Sequence, residues 1–155
     1  MPQVRMIQAV FEDAVRERLF GLFPPKFSNK TLKDDQFLHH VTLFFSRRPI
    51  ETTDDAWATK VDHWAMEGEE VTVQFNDLVW SDTFGVEAVT VTLINSGGEI
   101  LESPPGKTWH VTVSTEGKPP VESNTLLNSL NDRDMRAETQ QLNNIKTVAT
   151  IKHYK

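Results

Sequence analysis

Short stretches of alternating apolar and polar residues run through this chain, separated by helix-spaced segments or by proline and glycine. Residues 4–11 set Val4, Met6, Gln8 and Val10 against Arg5, Ile7, Ala9 and Phe11, a period of two that predicts a strand. An amphipathic helix follows through Phe23, with Val15, Leu19, Leu22 and Phe23 at helical spacing, and Pro24-Pro25 stops it. Residues 26–36 are polar and lysine-rich and predict a loop; 37–45 predict a second strand, broken by Arg47-Arg48-Pro49. Thr53 or Asp54 is the expected N-cap of a helix carrying Trp57, Val61 and Trp64 and ending near Gly68.

Residues 70–80 and 86–95 alternate again, and the Ser81–Gly85 turn between them makes the pair a hairpin. A turn at Gly97-Gly98 and the run Ser103-Pro104-Pro105-Gly106 lead into a strand over 108–115. The pattern then gives a break at 116–120, a helix over 123–130 on Leu126, Leu127 and Leu130, and a polar loop over 131–139. A last strand over 144–154 has Ile145, Val148 and Ile151 as core candidates.

Two of the predicted strands share a feature. His40-Val41-Thr42-Leu43 and His110-Val111-Thr112-Val113 each carry a histidine and a threonine two residues apart in a run of β-branched and apolar residues. Residues i and i+2 of a strand share a face, so each copy presents an imidazole beside a hydroxyl, with Val41 and Leu43, or Val111 and Val113, turned to the core. Thr53 follows His40 by the same interval as Ser123 follows His110, each a good helix N-cap, so strand, break and capped helix occur twice. Two such halves, packed face to face, would bring both motifs into one cleft.

That constellation suits phosphodiester cleavage. Histidine serves as base or acid near neutrality, two of them can flank one phosphorus, and threonine hydroxyls can donate to the phosphate oxygens. Phe44 is expected on the His40–Thr42 face, Trp80 and Phe84 flank a turn where they could stack a base, and Lys118 and Arg47 follow the motif strands where they could meet phosphate. Trp109 alternates with His110 and belongs in the core. His39 is expected on the face opposite His40, and His63 and His153 outside catalysis. Adjacent strand residues diverge, which disfavours a metal site built from His39, His40 and His110, so neither metal nor cofactor is expected.

The paired motifs resemble the signature of the 2H phosphoesterase superfamily, and the text Lys118-Pro119-Pro120-Val121-Glu122-Ser123-Asn124-Thr125-Leu126 is similar to its RNA-repair branch, which includes the cyclic phosphodiesterase domain of tRNA ligases. The resemblance implies a two-lobed α+β fold with antiparallel sheets and pseudo-twofold symmetry around a central cleft, a single bilobal domain over residues 1–155. It further implies metal-independent hydrolysis of a 2′,3′-cyclic phosphate or related RNA-type linkage. His40 and His110 would be acid and base in either order, and Thr42 and Thr112 would hold phosphate. Viral and phage members of the superfamily degrade defence nucleotides such as 2′–5′ oligoadenylates or cyclic oligonucleotides, a rival use of the same chemistry. A nucleotide-binding module without turnover is the rival of another class.

Composition narrows the partners. The chain has 155 residues, 38% hydrophobic and 25% charged, enough for one domain with a core. A net charge of −6 opposes a general grip on long duplex nucleic acid but leaves a small nucleotide or an RNA end as substrate. There are no cysteines, no apolar run near the ~20 residues a membrane helix needs, and no apolar signal core behind Met1, so the expectation is a cytoplasmic monomer away from membranes.

Overall fold

The computed structural model describes residues 3–27, 37–116, 127 and 138–155. Its elements are β1 (Gln3–Val10), α1 (Asp13–Leu22), β2 (His40–Glu51), a 3-10 turn (Thr52–Asp54), α2 (Ala56–Trp64), β3 (Glu70–Ser81), β4 (Val86–Ile94), β5 (His110–Thr115) and β6 (Glu138–Tyr154). The strands form an antiparallel six-stranded sheet in the order β2-β1-β6-β3-β4-β5, an α+β arrangement. The two His-x-Thr strands are therefore the opposite edges of one continuous sheet. Sheet twist lets such edges approach, and here they meet: the Leu38 N–H donates to the Thr112 carbonyl at 2.8 Å.

One face of the sheet is the core. Val41, Val71, Val73, Phe75, Val89, Leu93, Val111, Ala149 and Ile151 are buried there with Leu19 of α1 and Ala58, Val61 and Trp64 of α2. Burying a side chain of this size contributes about 1.5–3 kcal/mol each. Phe11 and Phe23 bracket Phe75, at ring separations of 6.2 and 5.5 Å. Trp109 is in the core as its alternation required, with its indole N–H donating to the Leu101 carbonyl at 2.7 Å.

Several boundaries differ from the sequence reading. Arg47-Arg48-Pro49 does not end β2: the strand runs on to Glu51, and Pro49 is tolerated because β2 is an edge. Opposite Arg47-Arg48-Pro49 the register slips, from Met6↔Phe45 to Val4↔Ile50. The α2 N-cap is Asp55, whose carboxylate accepts the Ala58 N–H at 2.9 Å, and not Thr53 or Asp54, which lie in the 3-10 turn. β6 begins at Glu138, well before residue 144, and carries Asn144 at φ 57° where its pairing with β3 shifts between Phe75↔Ile145 and Asp77↔Gln141. After that irregularity Thr147, Ala149 and Ile151 face inward, so Val148 is 44% exposed and is not a core residue. The predicted helix over 123–130 lies outside the described residues apart from Leu127, which is buried against Val79 and Val86.

Candidate active site

The register of the sheet decides which side chains share the site, because directly paired residues of an antiparallel ladder lie on the same face. In β2 the pairs are His40↔Val10, Thr42↔Gln8, Phe44↔Ile7 and Phe45↔Met6, with a shift that leaves Leu43 as an extra residue. In β5 they are His110↔Thr90, Thr112↔Ala88, Ser114↔Glu87 and Thr115↔Val86, with a shift that leaves Val113 extra. Each motif is thus followed, one residue past its threonine, by a β-bulge. His40 and Thr42 share the face opposite the core, as do His110 and Thr112. The bulge turns Phe44 to the core face, where it is 8% exposed, and puts Phe45 on the His40–Thr42 face at 61% exposed. The expectation for Phe44 is corrected: strict alternation assigns it to the wrong side because the strand is not regular there.

The lead-in to β2 is not extended. Leu38 takes φ 49°, a left-handed conformation that costs a leucine about 1–2 kcal/mol. It is held by the bond to Thr112, by the Phe11 N–H donating to the His39 carbonyl at 2.9 Å, and by the Arg16 guanidinium, which reaches the carbonyls of Phe37 (2.8 Å) and Leu38 (3.3 Å). The consequence is local. His39, expected across the sheet from His40, instead sets its Nδ1 3.0 Å from His40 Nδ1, with the rings edge to face at 5.2 Å.

His110 Nδ1 lies 2.8 Å from the Thr108 carbonyl. A carbonyl can only accept, so Nδ1 carries the proton and Nε2 of the neutral ring is left as an acceptor. Burial holds the His110 pKa below the usual histidine range, opposed by that carbonyl bond. The His40 pKa is lowered to about 4, first by burial and then by the neighbouring charges of His39, His110 and Arg16. Arg16, on the carbonyls of Phe37 and Leu38, and Thr112, on the Leu38 N–H, both converge on the segment that leads into His40. Among the described residues, no three of His, Cys, Asp and Glu cluster as a metal-ligand set.

The other sequence candidates lie elsewhere. Trp80 pairs with Glu87 and packs against the core, with Lys26 Nζ 4.4 Å over its ring. Phe84 packs against the cluster of Val79, Val86 and Leu127 at the β3–β4 turn. Lys118 lies outside the described residues. His153 Nε2 is 4.0 Å from Asp62 of α2, away from the motif pair. Three residues of the site were not singled out by sequence reasoning: Arg16, His39 as a partner of His40, and Phe45. The doubled His39-His40 and Phe44-Phe45 were visible signals; nothing marked Arg16.

The description of the fungal tRNA ligase phosphodiesterase domain matches residues 5–153, nearly the whole chain. The chain belongs to that family. It is a 2H phosphoesterase-type family, in keeping with the paired His-x-Thr motifs, and membership supports a cyclic phosphodiesterase activity on RNA ends. No curated protein matches the chain. Among the described residues, no helix of this phosphodiesterase-family chain is long and apolar enough to cross a membrane.

Proposed function

We propose that the chain is a two-histidine, metal-independent phosphodiesterase that opens a terminal 2′,3′-cyclic phosphate on an RNA end. One observation carries the reading: the two edges of the sheet meet where the Leu38 N–H donates to the Thr112 carbonyl at 2.8 Å, which joins the two His-x-Thr motifs. Water attacks phosphorus and gives a proton to the base. The bond to one ribose oxygen breaks, that oxygen takes a proton from the acid, and a phosphomonoester remains. His110 suits the base, since Thr108 fixes its proton on Nδ1 and leaves the Nε2 lone pair. His40 takes the acid role. An incoming phosphate anion favours its charged form and raises its pKa from the low resting value. Thr42 and Thr112 donate to the non-bridging oxygens as charge develops.

The same reading takes β2-β1-β6 and β5-β4-β3 as two pseudo-twofold halves of a bilobal domain, acting as a soluble cytoplasmic monomer. The matched bulges after Thr42 and Thr112 support the symmetry. The test is hydrolysis of a 2′,3′-cyclic mononucleotide and of cyclic dinucleotides, side by side, in excess EDTA. Turnover of the mononucleotide is expected. Turnover of the cyclic dinucleotide alone would replace RNA-end chemistry with messenger destruction, and loss of activity in EDTA would end the metal-independent mechanism.

A further inference from the structure

The face that carries His40 and Thr42 continues across three strands as ordered rows. The first row is His40, Val10 and Thr150; the second is Thr42, Gln8 and Lys152; the third is Phe45, Met6 and Tyr154. The Gln8 amide donates to Met6 Sδ at 2.7 Å, which ties the second row to the third. Val10 and Gln8, in the middle of the first two rows, are buried, so the groups along the β2 and β6 sides run from the His40 imidazole, through the Thr42 hydroxyl and the Lys152 ammonium, to an apolar shelf. Phe45 is 61% exposed and Tyr154 38% exposed on that shelf. Adjacent rows on β1 are two residues, about 7 Å, apart.

A nucleotide has the same sequence of chemistry: a phosphate, a ribose with hydroxyls and ring oxygen, and a flat base. We propose that the Phe45–Met6–Tyr154 shelf is a nucleobase-binding subsite, stacking the base of the nucleotide whose cyclic phosphate sits at His40 and Thr42. The inference rests on the phosphodiesterase reading above and adds to it the part of the substrate that sets affinity. Continuity with the His40–Thr42 face selects this occupant over another protein surface, because a base seated there keeps its own phosphate beside Thr42. Stacking on an aromatic ring tolerates any base, so the shelf favours nucleotides over other cyclic phosphates without choosing among the four.

The experiment compares adenosine 2′,3′-cyclic phosphate with ribose 2′,3′-cyclic phosphate, which lacks the base, on the wild type, Phe45→Ala and Phe45→Trp. The wild type is expected to prefer the nucleotide. Phe45→Ala is expected to shrink that preference in kcat/KM by about tenfold or more, chiefly through KM, and Phe45→Trp to restore it. An undiminished preference in Phe45→Ala would overturn the subsite. Calorimetric binding of adenosine 2′-monophosphate against ribose 2-phosphate reads the same preference without turnover. Absence of hydrolysis would therefore count against the phosphodiesterase reading alone, and equal binding of the two ligands by the wild type against the shelf.

Discussion

The backbone N–H of Leu38 donates to the carbonyl of Thr112 at 2.8 Å, joining the segment before one His-x-Thr motif to the middle of the other. Leu38 lies two residues ahead of His40, and Thr112 two residues past His110. This main-chain bond thus ties together two motifs that sit on opposite edges of the sheet. A left-handed leucine is the conformational cost of that junction, offset by its complete burial and by three hydrogen bonds to the 37–39 segment around it.

His40→Ala and His110→Ala should each lower kcat on a 2′,3′-cyclic nucleotide by about 10²–10⁴-fold, the usual worth of one positioned acid or base. Both side chains are on the face away from the apolar core, so circular dichroism should show the fold retained in each variant. A near-wild-type rate in either variant would sink the two-histidine mechanism.

His39 lowers the pKa of His40 through its charge, so His39→Ala should raise it. Removing the ring also lets water reach His40, which acts in the same direction. An NMR titration of the His40 ring should show its midpoint moving up from about 4. An unmoved midpoint would mean that the 3.0 Å contact carries no electrostatic coupling.

Stability should fall in mild acid. His40 titrates near 4 in the fold against 6.5 for an ordinary histidine, so between those values the unfolded chain binds a proton that the fold refuses. Its contribution is fully present above about 6.5 and lost as the pH drops through 4, on the order of 3 kcal/mol at most. The His110 pKa is lowered too and adds with the same sign. Urea unfolding at neutral pH and near pH 4.5 checks it, and His40→Gln should flatten the difference.

Glu87 predicts the opposite pH trend. Its carboxyl is fully buried; Oε1 accepts from Ser114 Oγ at 2.6 Å and from the Lys26 N–H at 3.0 Å, while Oε2 has no partner. Burial raises its pKa above 4.5, against those hydrogen bonds and the Lys26 charge, so folding weakens as the pH rises beyond 4.5 towards the raised value. Glu87→Gln keeps the acceptor and removes the buried charge, and should raise Tm at pH 8. Glu87→Ala should cost about 1–3 kcal/mol by stranding the Ser114 and Lys26 donors. A Gln variant less stable than wild type at pH 8 would show that the carboxylate is paired.

The amino-acid sequence by itself determined the strands, the first two helices, the α+β class and the two histidine–threonine pairs, because all of these rest on local periodicity and on residue chemistry. Tertiary structure decided the rest. Bulges at Leu43 and Val113 depend on what the partner strand pairs with, so a period of two placed Phe44 where Phe45 belongs. Pro49 breaks an isolated strand but not an edge strand, and only the sheet order makes β2 an edge. His39 reaches His40 because Thr112, Phe11 and Arg16, all distant in sequence, hold the 37–39 segment out of the extended conformation. Local pattern records which side a residue prefers; long-range hydrogen bonds fix where the backbone lets it go.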